Sequence, residues 1–199
     1  MDSGAVARQR VHRRFDLHKL MQREFAVCIS GHRPEKLPTG AALRMLQSLL
    51  FREIENALQD GARTFYTGMA RGVDLWAADM LLHFRRQYPA IRLICVLPFA
   101  DRLRSVSGAE RFHVNSVMQA ADRVIPLSEH FYRGCYRDRN AFMVQHSQRL
   151  IALIADIRSG TGQTVHMAER AGLEMRVLSV QEAVRQQAPS HTDFNFHQS

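Results

Sequence analysis

The apolar run Phe25-Ala-Val-Cys-Ile-Ser30, cut off by Gly31-His-Arg-Pro-Glu-Lys-Leu-Pro38, decides how this chain is read. A short uncharged run ended by turn residues has the signature of a buried strand, and the glycine and two prolines after it punctuate a loop. Thr39 can then cap a helix in which Leu43, Leu46, Leu50, Ile54 and Leu58 recur at helical spacing, until Gly61 stops it. The same alternation continues outward. Arg63-Thr-Phe-Tyr-Thr67 reads as a strand, and Gly68-Met-Ala-Arg-Gly72 leads into a helix carrying Val73, Trp76, Ala77, Met80, Leu81 and Phe84. Ile91-Arg-Leu-Ile-Cys-Val-Leu97 is the clearest strand and ends at Pro98. A helix near 109–121 and the strand Arg123-Val-Ile-Pro126 follow. Residues 128–137 read as irregular and aromatic, 140–147 as helix, and Leu150-Ile-Ala-Leu-Ile-Ala155 as a buried strand. Gly160-Thr-Gly-Gln-Thr164 opens a helix to Ala171, and Met175-Arg-Val-Leu-Ser179 is the last strand.

Strands that alternate with helices, without hairpins, predict an α/β fold: a Rossmann-like, doubly wound, mostly parallel sheet with helices on both faces. Residues 24–185 are expected to form this single domain. A basic extension over 1–23 is expected to be flexible, disordered or loosely docked, and a polar tail over 186–199 is expected to be disordered.

With 199 residues, 46% hydrophobic and 23% charged, the composition is that of an ordinary globular protein. No apolar run approaches the roughly 20 residues of a membrane-spanning helix. The extension lacks the apolar centre of a secretory signal, so a cytoplasmic location and no membrane partner are expected. Cys28, Cys95 and Cys135 form no close pair, which suggests reduced thiols, and no histidine pairs with another ligand at metal spacing. The net charge is +8, and six bases against two acids in residues 1–23 supply half of it. Such a balance favours anionic partners, although an arginine-rich composition with almost no lysine also produces it.

A parallel sheet brings the loops after its strands to one rim, where ligands bind. Those loops hold the unusual residues: Gly31-His32-Arg33, the 68–72 turn, Pro98-Phe99, the stretch 132–140, and Gly160 to Thr164. Two glycine-rich turns entering helices can cradle phosphate on free amides, or serve only the tight turns. No P-loop is present, and Gly160-Thr-Gly-Gln-Thr-Val165 has Val165 where a dinucleotide fingerprint needs a third glycine, with Glu182 about twenty residues on. Arg33 can clamp a phosphate or stand as a surface residue, and His32 can hydrogen-bond a ribose, donate a proton or pack the loop. Asp74 can serve the helix dipole, a ribose or acid–base work. Trp76 is either core or a stacking wall, Arg137-Asp-Arg-Asn140 either a phosphate cluster or an internal ion network, and Tyr132 and Tyr136 either a lid or loop packing.

Read together, Ser30-Gly-His-Arg-Pro-Glu-Lys-Leu37, Gly68-Met-Ala-Arg-Gly-Val-Asp-Leu-Trp-Ala-Ala78, Leu93-Ile-Cys-Val-Leu-Pro-Phe99, Tyr132-Arg-Gly-Cys-Tyr-Arg-Asp-Arg-Asn-Ala-Phe-Met-Val144 and Gly160-Thr161 with Thr164 resemble the YpsA-like family of the SMF/DprA–LOG (SLOG) superfamily. The resemblance implies a Rossmann-like sheet and a pocket for a nucleotide or a derivative such as ADP-ribose or NAD. It also implies a link to bacterial cell division or stress responses. Carried over by position, the pocket residues are Gly31, His32, Arg33, Gly68, Met69, Gly72, Asp74, Trp76, Arg139, Asn140, Gly160, Thr161 and Thr164. Ser159 departs from the family's Gly-Gly-Thr turn, and the stretch 102–108 lacks the tryptophan usual there.

The leading expectation is a module that binds or senses a nucleotide-derived small molecule, with no other cofactor. An N-glycosidic hydrolase like the LOG branch is the alternative, but Thr164 stands where those enzymes carry a glutamate, which leaves proton transfer incomplete. Single-stranded DNA binding, as in the DNA-processing branch, is the third reading. Self-association is compatible with all three.

Overall fold

The computed structural model describes residues 24–105 and 108–185; the basic extension and the polar tail fall outside them. Six strands form: β1 Ala26–Gly31, β2 Thr64–Thr67, β3 Arg92–Leu97, β4 Arg123–Pro126, β5 Arg149–Ile154 and β6 Glu174–Ser179. Between and after them lie the helices α1 Gly40–Gln59, α2 Val73–Phe84, α3 Gly108–Ala120, α4 Cys135–Gln145, α5 Gly160–Arg170 and α6 Val180–Arg185. All neighbouring strands pair in parallel, in the order β4-β3-β2-β1-β5-β6.

Each central strand is buried on both faces, and its side chains alternate between two apolar layers. Val27, Ile29, Phe65, Leu93, Cys95, Ile151 and Leu153 face one layer with α1, α2, α3 and α6. Cys28, Ile94, Val96, Leu150, Ala152 and Ile154 face the other with α4 and α5. On α1 the four-residue spacing of Leu46, Leu50, Ile54 and Leu58 puts all four on one face, and all four are buried; each contributes about 1.5–3 kcal/mol. The three cysteines are buried free thiols, and burial pushes Cys28 and Cys95 up to about 12, so neither is a ready nucleophile.

Two elements differ from the sequence reading. Helix α4 begins at Cys135 rather than 140, so the last three residues of the stretch read as irregular, 135–137, are helical. Its inward positions are Cys135, Arg139 and Met143, and a buried arginine in the middle breaks the apolar period that would have revealed it. The short helix α6 was not anticipated; it follows β6 directly and buries Val180 and Ala183. Thr39 precedes α1 but makes no capping hydrogen bond.

The strand order places the site. After β1 the chain builds outward on one side through β2, β3 and β4, then returns to lay β5 on the other side of β1. The β1 loop leads to a helix on one face of the sheet and the β5 loop to a helix on the other. Loops that part in opposite directions leave a crevice at the carboxyl ends of β1 and β5, the topological switch point where such sheets bind ligands.

Candidate functional site

A cavity of about 470 Å³ lies in that crevice. From the β1 side come Ser30, Gly31, His32 and Arg33, with Glu35 and Lys36 on the short 3-10 turn Pro34–Lys36. The β2 loop and α2 add Ala70 and Asp74; α4 adds Tyr136, Arg139 and Asn140; and Ser159, Gly160 and Thr161 form the entry to α5. Tyr136, Arg139 and Asn140 stand three and four residues apart, so one face of α4 presents all of them.

Asp74 organises the wall. It is 3% exposed, and its carboxylate accepts the Gly31 amide (3.3 Å), the Ala70 amide (3.3 Å) and Arg139 Nη1 (3.5 Å). Burial pushes its acid above the ordinary carboxylate range, while Arg139 and the two amides pull it back. The contacts tie the ends of β1 and β2 to α4. Gly68 makes this arrangement possible, because a Cβ there would occupy the space of the Arg139 guanidinium. Met69 next to it has φ 56°, a left-handed conformation rare for a residue with a side chain. Arg102 Nη1 donates to its carbonyl at 2.9 Å and holds the bend that aims the Ala70 amide at Asp74.

His32 staples the two sides of the crevice. Its Nε2 accepts the Asp156 amide at 3.3 Å, so the imidazole is neutral with its proton on Nδ1. Burial lowers its pKa from the usual 6.5, Lys36 lowers it further, and Asp156 opposes both. The folded state then binds fewer protons than the unfolded chain between its own pKa and 6.5. The contribution is fully present above 6.5 and is lost as pH falls through that window. Melting temperatures from pH 7.5 down to about 5 should therefore fall more steeply for the wild type than for His32→Asn. Parallel curves would show that His32 is not linked to folding.

The α5 entry gathers backbone amides and cationic side chains. Ser159 caps the helix, its Oγ accepting the Gly162 amide at 3.1 Å and donating to the Asp156 carbonyl at 2.5 Å. The departure from glycine at 159 therefore supplies a cap. The Gly160 and Thr161 amides, at the first turn, have no partner within the helix. Arg33 and Lys36 face the same space, and neither forms an ion pair among the described residues. Thr164 is buried behind the turn; its Oγ1 accepts Asn140 Nδ2 at 2.7 Å and donates to the Gly160 carbonyl at 3.1 Å, so α4 and α5 are locked together. Arg139 Nε and Asn140 Oδ1 are buried without a hydrogen-bond partner.

The residues named from sequence thus divide. Gly31, His32, Arg33, Asp74, Arg139, Asn140, Gly160 and Thr161 line the cavity. Gly68, Met69 and Thr164 stand behind it as packing and bracing residues. Gly72 and Trp76 line a separate recess with Arg71, Leu75 and His113. Arg137 is exposed and Asp138 half-buried, whereas Arg139 is buried. Glu182 is exposed on α6 and does not line the cavity. Glu35, Lys36 and Ser159 were not singled out as cavity residues, and their places in the β1 loop and before the α5 glycine were the signal available. A cavity of about 490 Å³ also exists at the amino edge, lined by Tyr66, Arg92, Arg123 and His146, but no helix start faces it and ligands of parallel sheets bind at the opposite edge. Among the described residues, no group of three or more His, Cys, Asp or Glu could hold a metal ion.

The sequence profile of the YpsA family, described as the YspA SLOG family, matches residues 27–181. The chain belongs to this family. A UPF0398 protein from Halalkalibacterium halodurans is 27% identical over 112 residues, a match that covers 55% of this chain and 59% of that one. A UPF0398 protein from Bacillus cereus is 21% identical over 153 residues, covering 73% and 83%. This SLOG domain also resembles DNA processing protein A of Helicobacter pylori, which is described for its mode of binding single-stranded DNA: TM-score 0.53, 20% identity, 84% of this chain and 74% of that one. The likeness is one of fold. No helix among the described residues is long and apolar enough to cross a membrane.

Proposed function

We propose that the crevice binds a nucleotide-derived ligand of the ADP-ribose or NAD type, and that this SLOG domain acts as a binding or sensing module. One observation carries the reading: the free first-turn amides of α5 share a single cavity with Arg33 and Lys36. Amides at a helix start and two cations suit a phosphate or pyrophosphate. The orphaned Arg139 Nε and Asn140 Oδ1 suit sugar hydroxyls, which both donate and accept. A volume of about 470 Å³ fits a single nucleotide derivative better than a continuous DNA strand.

The carboxylates favour binding over hydrolysis. Asp74 is committed to two amides and a guanidinium, and Glu35 is paired with Arg71, so neither is poised to move a proton at a glycosidic bond. Thermal unfolding with ADP-ribose, NAD and AMP, with each mixture assayed for released base, tests the reading. The expected result is stabilisation without products; released base would replace the module with an N-glycosidic hydrolase. Arg33 is exposed, so Arg33→Ala should leave the melting temperature of the free protein in place. Its loss should weaken nucleotide binding by about 1.5–3 kcal/mol, the usual worth of a charge-assisted hydrogen bond. Unchanged affinity in titration calorimetry would remove Arg33 from the site.

A further inference from the structure

Beside the cavity, and outside the groups that suit phosphate and sugar, the structure holds an aromatic shelf. Tyr136 lines the cavity wall; its ring meets Phe99 edge-on with centroids 6.3 Å apart, and Phe99 meets Phe131 edge-on at 5.7 Å. Tyr136 is 37% exposed and Phe131 is 65% exposed, so two of the three rings stand open to solvent although they touch a common partner. Tyr136 is the ring in the cavity wall, and Phe99 links it outward to Phe131; exposed aromatics gathered in this way mark a contact surface more than isolated ones do.

The shelf is held in place before anything binds. Ser128 Oγ lies within hydrogen-bonding distance of the Pro98 carbonyl (3.2 Å) and the His130 carbonyl (2.8 Å). The Ala100 amide donates to the Ser128 carbonyl at 2.9 Å, and His130 Nδ1 lies 2.8 Å from Asp101. The loop carrying Phe131 is thus stitched to the loop carrying Phe99, while Tyr136 rides on α4 one turn before Arg139 and Asn140. Trp76, the aromatic that the sequence offers as a stacking wall, lines a different recess.

We infer that Tyr136 and Phe131 form the base subsite of this cavity: a ligand with its phosphate at the start of α5 and its sugar at Arg139 and Asn140 lays its heterocyclic base on this shelf. The inference rests on the nucleotide reading above and adds to it the part of the ligand that the polar groups do not address. Every base has a flat π-face, so the shelf contributes affinity with little discrimination between bases. It separates nucleotides from simple sugar phosphates, which have nothing to stack.

Titration of the full chain with two probes, ADP-ribose and ribose 5-phosphate, separates this subsite from the rest of the site. The wild type should bind ADP-ribose more tightly than ribose 5-phosphate. Tyr136→Ala and Phe131→Ala should each weaken ADP-ribose by about tenfold, within the range of one lost stacking contact, and leave ribose 5-phosphate unchanged. Tyr136→Phe, which keeps the ring, should recover most of the loss. Both side chains being partly or largely exposed, the alanine variants should melt like the wild type. Equal weakening of both probes, or unchanged ADP-ribose affinity in both variants, overturns the base subsite while the phosphate site stands. Failure of the wild type to bind either probe overturns both.

Discussion

Asp74→Ala is expected to destabilise the protein by about 3–5 kcal/mol, the cost of leaving a buried charge without its partner. For a domain of this size the melting temperature falls by on the order of 10 °C. The substitution strands Arg139, which is 6% exposed, and removes the acceptor for the Gly31 and Ala70 amides, so three segments lose their common anchor. The large effect comes from the broken pair rather than from the carboxylate by itself, since burial works against that carboxylate. A double variant, Asp74→Ala with Arg139→Met, should therefore lose less than the two single losses added together. Additive losses in a thermal or denaturant cycle would show that Asp74 and Arg139 act independently.

Gly162→Ala is the second large effect, and its sign is diagnostic. In an ordinary helix alanine is favoured over glycine by about 1 kcal/mol. Here a Cβ at 162 would fall within the Ile157 carbonyl group, a backbone neighbour that cannot rotate aside. The turn from Asp156 to Ser159 must move, and with it the Ser159 cap on the Gly162 amide. Overpacking of this kind costs about 1–3 kcal/mol, and the displaced turn should weaken nucleotide binding at least tenfold, on the order of 1.4 kcal/mol. Gly160→Ala is the control: its Cβ meets nothing within 4 Å, and stability should stay within about 0.5 kcal/mol. Denaturant unfolding of the two variants checks the contrast. Equal stability would mean that the α5 entry is more pliable than its packing indicates.

The sheet was legible because its strands are short, largely apolar runs, most of them set off by Gly or Pro, and the loops at its rim could be named because strand-to-helix order sends them there. Two things escaped local pattern. Arg139 stands at an inward position of α4, and since a charge at such a position reads as surface, the helix appeared to begin five residues late. Its partner Asp74 is 65 residues away in sequence, a separation that no periodicity reports. The second is the division of the named residues between cavity and support. Thr164 and Gly160 share one short motif, yet Thr164 points back to brace Asn140 while Gly160 opens onto the cavity. Trp76 lies in the same motif as Asp74, but the two residues line different recesses. A motif read along the chain does not say which side of a helix turn a residue takes; the packing of α2, α4 and α5 does.

The most direct test of the nucleotide site is a map of backbone amide chemical shifts as ADP-ribose is titrated into the protein. The largest changes are expected at Gly31 to Lys36, at Tyr136 to Asn140 and at Ser159 to Gly162, with the Gly160 and Thr161 amides moving in the manner of new hydrogen bonds to phosphate. Changes centred on the amino-edge cavity around Tyr66, Arg123 and His146, or no changes at millimolar ligand, would contradict it.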